Sequence, residues 1–469
     1  MGTLTALMNL SKGALQADQA ALNVTANNVA NQNTVGYTRE IVNFQARDSV
    51  TLGRINSGQG VTIGNGANSV RDRILEQRVQ QQTQVQSQSS ALATALSAVE
   101  NIFGLSATTT SSAATALGSA VDSFFNSFAK LEANPSDAAT RQAVLSSATS
   151  LVNAFNTAST QLASTSNSLN SQVTDTVGQI NSLTANIASL NQKISVISPN
   201  GDAGTLEDQR QAAIAQLSQL VGLDQITTEQ NGISLTTSSG AVLVGGIQSY
   251  ALTTSQVSGV THILAGPDAT DVTASITGGS LGGILQARDQ SIPSFASSLD
   301  NLAYAIGTQV NTQNAAGLDG NGNPGAAIFT LPGSASGAAS SIALSTNDPN
   351  SIAAAAAGEG ATGNGNAIAL ANLASGTIVG GQTPSGYLAS FLAQVGSAVS
   401  SANSDNTVQQ AALTQLTAQR DAVSGVSLDQ EAANLTQYQR SYEAAAKVFS
   451  IVDQLLSDAL NLGVQTAVS

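Results

Sequence analysis

One histidine, His262, and no cysteine occur in this chain of 469 residues. Zinc sites draw on thiolates and imidazoles, so no such ligand set can be assembled. A disulfide and a Cys–His nucleophile are excluded as well. A Ser–His pair would have to use His262. It lies in the strand-like run Val260-Thr261-His262-Ile263-Leu264 with no nucleophile motif nearby, and is expected to be a surface or hydrogen-bonded strand residue. Gly358-x-Gly360-x-x-Gly363 spells the dinucleotide fingerprint. It follows an alanine run instead of a strand, and no ribose-binding acid is placed after it, so a plain loop is expected. Asp319-Gly320-Asn321-Gly322-Asn323 opens like a calcium loop, but Pro324 and Thr330 stand at the sixth and twelfth positions. Those positions need Gly and Glu, so a tight turn is expected. The 29 acidic residues offer too many chance pairs to single out an acid–base couple. No catalytic, cofactor-binding or metal site is expected, and the chain does not read as an enzyme.

The remaining composition narrows the partners. Net charge is −14, with 15 Lys and Arg scattered along the chain. Phosphate binding relies on clustered basic residues, so nucleic acid is excluded. Anionic membrane surfaces are disfavoured likewise. No apolar run is long enough to span a bilayer, so no membrane insertion is expected. The start lacks a basic region followed by an apolar core, so no Sec-type signal is expected. Charged residues are 9% and aromatics 3%. Small, weakly charged surfaces suit a helical protein that polymerises.

The pattern of apolar residues predicts the elements. Leu7, Leu10, Ala14, Ala17, Ala21 and Val24 form a helical stripe over 4–30, widened by Met8, Leu15, Leu22 and Val29. Asn27 to Asn33, then Gly36, read as a helix stop and turn. Val42, Phe44 and Ala46 alternate as in a strand. Glycine-rich 51–69, including Gly53, reads as turns and irregular β structure. Helices are predicted at 70–103 and 117–133, with a Ser/Thr/Ala stretch at 106–116. Between Pro135 and Pro199 one heptad frame runs unbroken. Its two lines are Leu145, Val152, Ser159, Ser166, Val173, Ile180, Ile187, Ile194 and Ala148, Phe155, Leu162, Leu169, Thr176, Leu183, Leu190, Ile197. A strict seven-residue period predicts a supercoil with a partner helix, a rod of roughly 80 Å. Helix 206–220 follows, with Thr205 and Asp208 as a weak capping box. Short β-like runs from 221 to 280 predict a small all-β domain. Helical periodicity returns at 281–311, and 312–385 is rich in Gly, Asn and Ala, with weak structure. Two last helices are predicted at 386–423 and 428–462.

The fold class is therefore mainly α with an all-β insertion: a long antiparallel helical bundle or coiled coil built from both chain ends, plus a small β domain. Five segments are expected. They are an N-terminal amphipathic helix and turn (1–45), the first half of a helical rod (46–220), the β domain (221–280), the second half of the rod (281–424) and a C-terminal amphipathic helix (425–469). The last helix keeps a heptad: Leu428, Leu435, Tyr442, Phe449 and Leu456, with Tyr438, Ala445, Val452 and Ala459 between them. Periodicity leaves open whether the end helices pair within one chain or with neighbours. Residues 1–38 hold only Lys12 and Asp18 as charges, which tilts the balance toward assembly.

Asn27-Asn28-Val29-Ala30-Asn31 with Gly36-Tyr37-Thr38-Arg39 resembles the N-terminal signature of bacterial flagellar rod, hook and hook-associated proteins. Ser424 to Leu435, with Tyr438-Gln439 and Ser441-Tyr442, is similar to that family's C-terminal signature. Leu281 to Asp289 and Asn314 to Gly322 resemble its hook-associated branch, which joins hook to filament. Gln430 stands where the family usually has an acid. The resemblance implies a structural, non-enzymatic axial component, required for filament assembly and exported by the flagellar type III system. The alternative is a hook or distal-rod type. Implied partners are the hook protein, a second junction protein, other copies of the chain, and an export chaperone on the C-terminal helix. The implied location is the extracellular flagellum after a transient cytoplasmic stage. It also implies that the end helices are disordered in the monomer and fold on assembly. Asn27, Asn28, Asn31 and Gly36 would turn the chain outward, and Tyr37 and Arg39 would dock it. Leu7, Leu15 and Leu22, with Leu428, Leu435, Tyr438, Tyr442, Phe449, Val452 and Leu456, are the candidate packing residues.

Overall fold

The structure is a computed structural model that describes all residues except 1, 35, 49, 53–54, 106–112, 198–202, 228–230, 361 and 466–469. Gly53, Pro199 and most of the 106–116 stretch lie outside the described residues. Helix α1 (Gly2–Asn31) opens the chain. Strand β1 (Glu40–Ala46) is followed by the hairpin of β2 (Val50–Leu52) with β3 (Ile55–Ser57), then by β4 (Val61–Ser69), which pairs antiparallel with β1. The glycine-rich 51–69 region is thus mostly regular ribbon. Asp72 caps α2 (Arg73–Phe103), its carboxylate accepting the N–H groups of Ile74 and Leu75. The next helices are α3 (Ala113–Ala133), α4 (Ala138–Ile197) and α5 (Thr205–Leu220).

Helix α4 spans 60 residues, about 90 Å at 1.5 Å per residue. Its heptad lines are the buried face. Leu145, Ala148, Val152, Phe155, Leu162, Leu169, Val173, Ile180, Ile187 and Ile194 are all buried, whereas Ile197 is exposed. The expected supercoil with one partner helix is not what covers them. The face is shared among α3, α5, part of α2 and the strands of the β domain. Each short element buries its own length of the stripe, so burial needs no second helix of equal length. The start of α5 also differs from expectation. Gly204 holds the cap position with no side-chain bond, while the Asp208 carboxylate turns away to Thr38 and Arg71.

The β domain has two small antiparallel sheets. One contains β5 (Leu223–Thr227), β6 (Ile233–Thr237), β7 (Val242–Gly245) and β8 (Gln248–Ser249), in that order. The other places β10 (Val260–Ala265) between β9 (Thr253–Val257) and β11 (Thr270–Asp271). Alternation along Ile233, Leu235 and Thr237 turns one face of β6 inward. A helix α6 (Gly279–Gln286), one π turn (Ala287–Ser291) and α7 (Ile292–Ala316) follow without interruption.

Residues 312–385 are more ordered than their composition suggests. They form β12 (Gly317–Leu318), β13 (Phe329–Thr330), α8 (Ala338–Ser341), β14 (Ala343–Leu344), β15 (Ala355–Ala356) and α9 (Gly365–Asn372). The alanines at 353, 354 and 355 are fully buried beside Ile352. Small side chains pack the backbone into the core here instead of leaving it loose. Two long helices end the chain: α10 (Pro384–Ser424) and α11 (Leu428–Gln465).

The body has one contiguous core. Phenylalanines anchor it: Phe124 meets Phe125, Phe128 and Phe329, and Phe391 meets Phe103 and Phe295. Away from that core, α2 and α10 are tied by amides, Gln82 to Gln409 and Gln86 to Asn406. Helix α6 crosses α2 backbone to backbone, because Gly283 has no side chain. A Cβ there would stand 2.3 Å from the Gln88 carbonyl oxygen and 2.9 Å from the Leu92 nitrogen. Gly283→Val is expected to destabilise the body by about 3 kcal/mol through forced separation of the two helices. Thermal unfolding of the full chain checks this, and an unchanged midpoint would refute the contact.

Candidate functional site

The two chain ends meet at one joint. The last turn of α1 touches the first turn of α11, and the helices remain in contact beyond it, so they run antiparallel. Strands β1 and β4 pack along α1 as well. At the centre is the buried side chain of Asn28. Its Nδ2 donates to the Glu40 carbonyl (2.8 Å) and to Glu431 Oε2 (3.2 Å). Its Oδ1 accepts the Glu40 N–H and the Tyr37 hydroxyl, both at 2.9 Å. Every donor and acceptor of that amide is engaged, which only Asn provides in this geometry. One turn away, Asn31 Nδ2 donates to Asn27 Oδ1 at 2.8 Å. Gly36 takes a left-handed φ of 83° and reverses the chain.

The reversal delivers Arg39 to α11. Its Nε donates to Glu431 Oε1 at 2.7 Å, and its N–H donates to the Ser424 carbonyl at 2.9 Å. The Asp72 N–H donates to the Ser424 hydroxyl. One motif therefore binds the end of α10 and the start of α11 together. A second charged group joins the linker to α5. Arg71 faces Asp208, Glu207 and Glu76, and Arg210 beside it donates to Asn191 and Asn231. Burial lowers the Arg210 pKa to about 10, against the opposing pull of Glu207. Burial raises the Tyr37 hydroxyl, with Glu40, Asp208 and Glu431 adding to it. Burial also raises the Glu76 carboxyl more than Arg71 and Arg420 lower it.

The structure brings Asn27, Asn28, Asn31, Gly36, Tyr37 and Arg39 into this one joint. It adds Glu40, and brings in Ser424 and Glu431, which belong to the C-terminal signature but were not among the candidate joint residues. The signal for Glu431 was present: it sits seven residues before Tyr438, a charge on a heptad line that is otherwise apolar or aromatic. The packing residues divide. Val452 is buried at 1% exposure, whereas Leu15, Leu22, Leu435, Tyr438, Phe449 and Leu456 are half-buried. Leu7 at 42%, Leu428 and Tyr442 are exposed. The Tyr438 ring lies 6.0 Å from that of Phe44 on β1. The end helices are joined at this point by polar contacts.

The other chemical motifs resolve into structural contacts. His262 Nδ1 lies 2.6 Å from Asp271 Oδ2, on the rim of an open cleft of about 730 Å³. Bonds from Thr273, then from His262, hold the Asp271 pKa down to about 2. The Gly358–Gly363 loop is filled by its own Glu359, whose carboxylate accepts the N–H groups of Ala356 and Gly365. Asp319 closes a turn by accepting the N–H groups of Asn321 and Asn323. Among the described residues, no group of three acidic or histidine side chains could hold a metal ion. No described helix is long and apolar enough to cross a membrane. Arg288, in the 281–289 motif, donates to Asn170 on α4 and to the Thr261 carbonyl on β10, clamping the β domain to the rod.

Comparison with known proteins gives three family matches. Residues 96–329 match the flagellar hook-associated protein FlgK helical domain. Residues 419–462 match the flagellar basal body rod FlgEFG protein C-terminal, and 8–38 the flagella basal body rod protein. Flagellar hook-associated protein 1 of Bacillus subtilis is 28% identical, with 97% of each chain covered. The Escherichia coli protein of the same name is 29% identical over 70% of this chain and 60% of its own length. The flagellar hook junction protein FlgK from Burkholderia pseudomallei has the same fold, with a TM-score of 0.65 at 22% identity, covering 74% of this chain and 100% of that one.

Two outcomes test the joint. Glu431→Ala leaves Arg39 and the Asn28 amide without their partner, and is expected to cost about 3 kcal/mol locally. Hydrogen exchange should accelerate at 28–40 and 428–438 while α4 stays protected. For Glu76, the folded-state pKa lies above the ordinary 4.5, so the folded state binds the extra proton and stability falls as pH rises through that window. Glu76→Gln should therefore raise the melting temperature at pH 7, and the gain should vanish below about pH 4. A gain that grows on acidification would refute it.

Proposed function

Because this chain belongs to the flagellar hook-associated protein 1 family, axial components at the junction of the bacterial hook and filament, we propose that its joined terminal helices build it into the flagellar axis. The observation that carries this reading is the uncovered apolar surface of the pair. Val448, Ile451 and Leu455 form a stripe along α11 that flanks its buried line on one side, and all three are exposed. Leu7 and Val29 on α1 are exposed too. Apolar side chains at three- and four-residue spacing suit a neighbouring helix. The neighbours are the hook protein below, the second junction protein above and further copies of this chain alongside. Before export the same α11 surface is covered by an export chaperone.

The route is the flagellar type III channel, and the destination is the extracellular flagellum. The absence of cysteine fits a chain that must pass a channel without disulfide loops. The role is structural: the joint positions surfaces and the charged groups at it are engaged with one another. The β domain lies outward of the axis, and the match over residues 96–329 favours the hook-associated type over a hook or distal-rod type.

The test is complementation of a strain lacking the gene. The unaltered chain should restore filaments. The double variant Val448→Asp with Ile451→Asp should leave hooks without filaments and release filament protein into the medium, as seen by electron microscopy. Normal filaments with the variant, or without any copy of the gene, would overturn the reading.

A further inference from the structure

Helix α5 carries Glu207, Asp208 and Arg210 in its first two turns, and they serve two different neighbours. Asp208 faces the linker between α1 and α2. Its carboxylate accepts the Thr38 N–H at 3.4 Å and pairs with Arg71, whose Nη2 also donates to the Thr38 hydroxyl. Thr38 directly precedes Arg39, so this contact adjoins the joint. Arg210 faces the β domain. Its Nη1 donates to the Asn231 carbonyl at 2.6 Å, between β5 and β6, and to Asn191 Oδ1 on α4 at 3.0 Å. Glu207 stands between the two sides. One oxygen accepts from the Asn231 amide, and the other lies 3.5 Å from Arg71 Nη1. Asn191 carries the chain of contacts into the first β sheet. It donates to the carbonyls of Ile233 on β6 and Gly246 after β7, and accepts the Ile233 N–H.

These groups cannot exchange one another for water. Glu207, Arg210 and Asn191 are 3%, 2% and 1% exposed, and the Arg71 side chain is 4% exposed. Arg71 Nη1 and Arg210 Nε are sealed from water and make no hydrogen bond. Acceptors are already short, so one that is lost is not replaced, and its partners stay buried without it. The start of α5 also has little support of its own. Gly204 supplies no side-chain cap, and Glu207 alone bonds back, to the Ala203 N–H. We propose that the first two turns of α5 are a coupling element, which ties the terminal linker to the first sheet of the β domain. Release of Asp208 from the linker leaves Arg71 to Glu207, the carboxylate that holds Asn231 beside Arg210. The second sheet is seated separately. Asn170 on α4 holds Gly259 and Thr261, and Asn181 holds Leu252 ahead of β9. A disturbance in the linker therefore reaches one sheet and spares the other. That assembly of the chain ends makes use of this coupling rests on the proposed function, but the coupling within one chain does not.

Hydrogen exchange followed by mass spectrometry on the purified full-length chain tests it, in the unaltered protein and in Asp208→Asn and Asn191→Ala. Asp208→Asn keeps the shape and removes the charge that holds Arg71 on the linker side. It should accelerate exchange about fivefold at 36–41 and also at 233–246, with 253–265 unchanged. Coupling is reciprocal, so Asn191→Ala, on the β side, should accelerate 36–41. Acceleration in Asp208→Asn that stops at 36–41 and 203–210 overturns the proposal. So does equal acceleration of both sheets, which is general loosening, or no acceleration anywhere. Unchanged exchange at 36–41 in a folded Asn191→Ala overturns it too, and if that variant does not fold, Asp208→Asn decides alone. Filament assembly is not part of this readout, so failure of the assembly role and failure of the coupling are told apart.

Discussion

The Glu431 carboxylate fixes the position of everything at the chain ends. One oxygen receives Arg39 and the other receives Asn28, from segments 392 and 403 residues away in sequence. Burial removes water as a substitute partner, so each group depends on the others more than an exposed ion pair would. The pair gains less from the attraction itself than it would lose if one partner were missing. That asymmetry is useful where two helices must meet in one register. A purely apolar seam of alanines would tolerate sliding, whereas a single acceptor with two aimed donors does not.

The body is held by different means. Charge is sparse, and its helices approach closely through small residues, as α6 does on α2 at Gly283. Phenylalanines fill the wider gaps around Phe124 and Phe391. Between these regions α2 and α10 share amide bonds in place of a core. Amides accept and donate at once, so such an interface is satisfied without either large apolar side chains or ion pairs. The protein therefore divides into a packed body, an amide-laced neck and a charged joint that carries the terminal pair.

Much of this was legible in the sequence. The heptad from Leu145 to Ile194 marks the buried face of α4, because a regular period survives whatever covers it. The stop at Asn27–Gly36 is legible because Asn and Gly have special turn chemistry. What covers α4 was not legible, since an apolar stripe does not say whether one long partner or several short ones bury it. The buried alanines at 353–355 are not legible for a related reason: composition reads small residues as loose, and only packing tells whether they are buried. In α1 the periodicity points to the large side chains of Leu7, Leu15 and Leu22, yet the buried line is small and polar. Hydrophobicity ranks residues one at a time, while burial follows from which face the partner occupies. The role of Glu431 is not legible from its own signature, because it depends on Asn28 and Arg39, which are remote in sequence.

The span between Arg39 and Glu431 also places the two halves of the joint far apart along the chain. The early half of the joint, Asn28 and Arg39, exists as soon as the first forty residues emerge, but its acceptor arrives only near the end of the chain. The linker has a second anchorage independent of α11, because Arg71 and Thr38 dock on α5 through Asp208. Contact of α2 with α10 holds Ser424 at Asp72, which leaves only a few residues between that anchorage and Glu431. Without α11 the Asn28 and Arg39 side chains lack their shared acceptor, so the contact between the two ends depends on both at once.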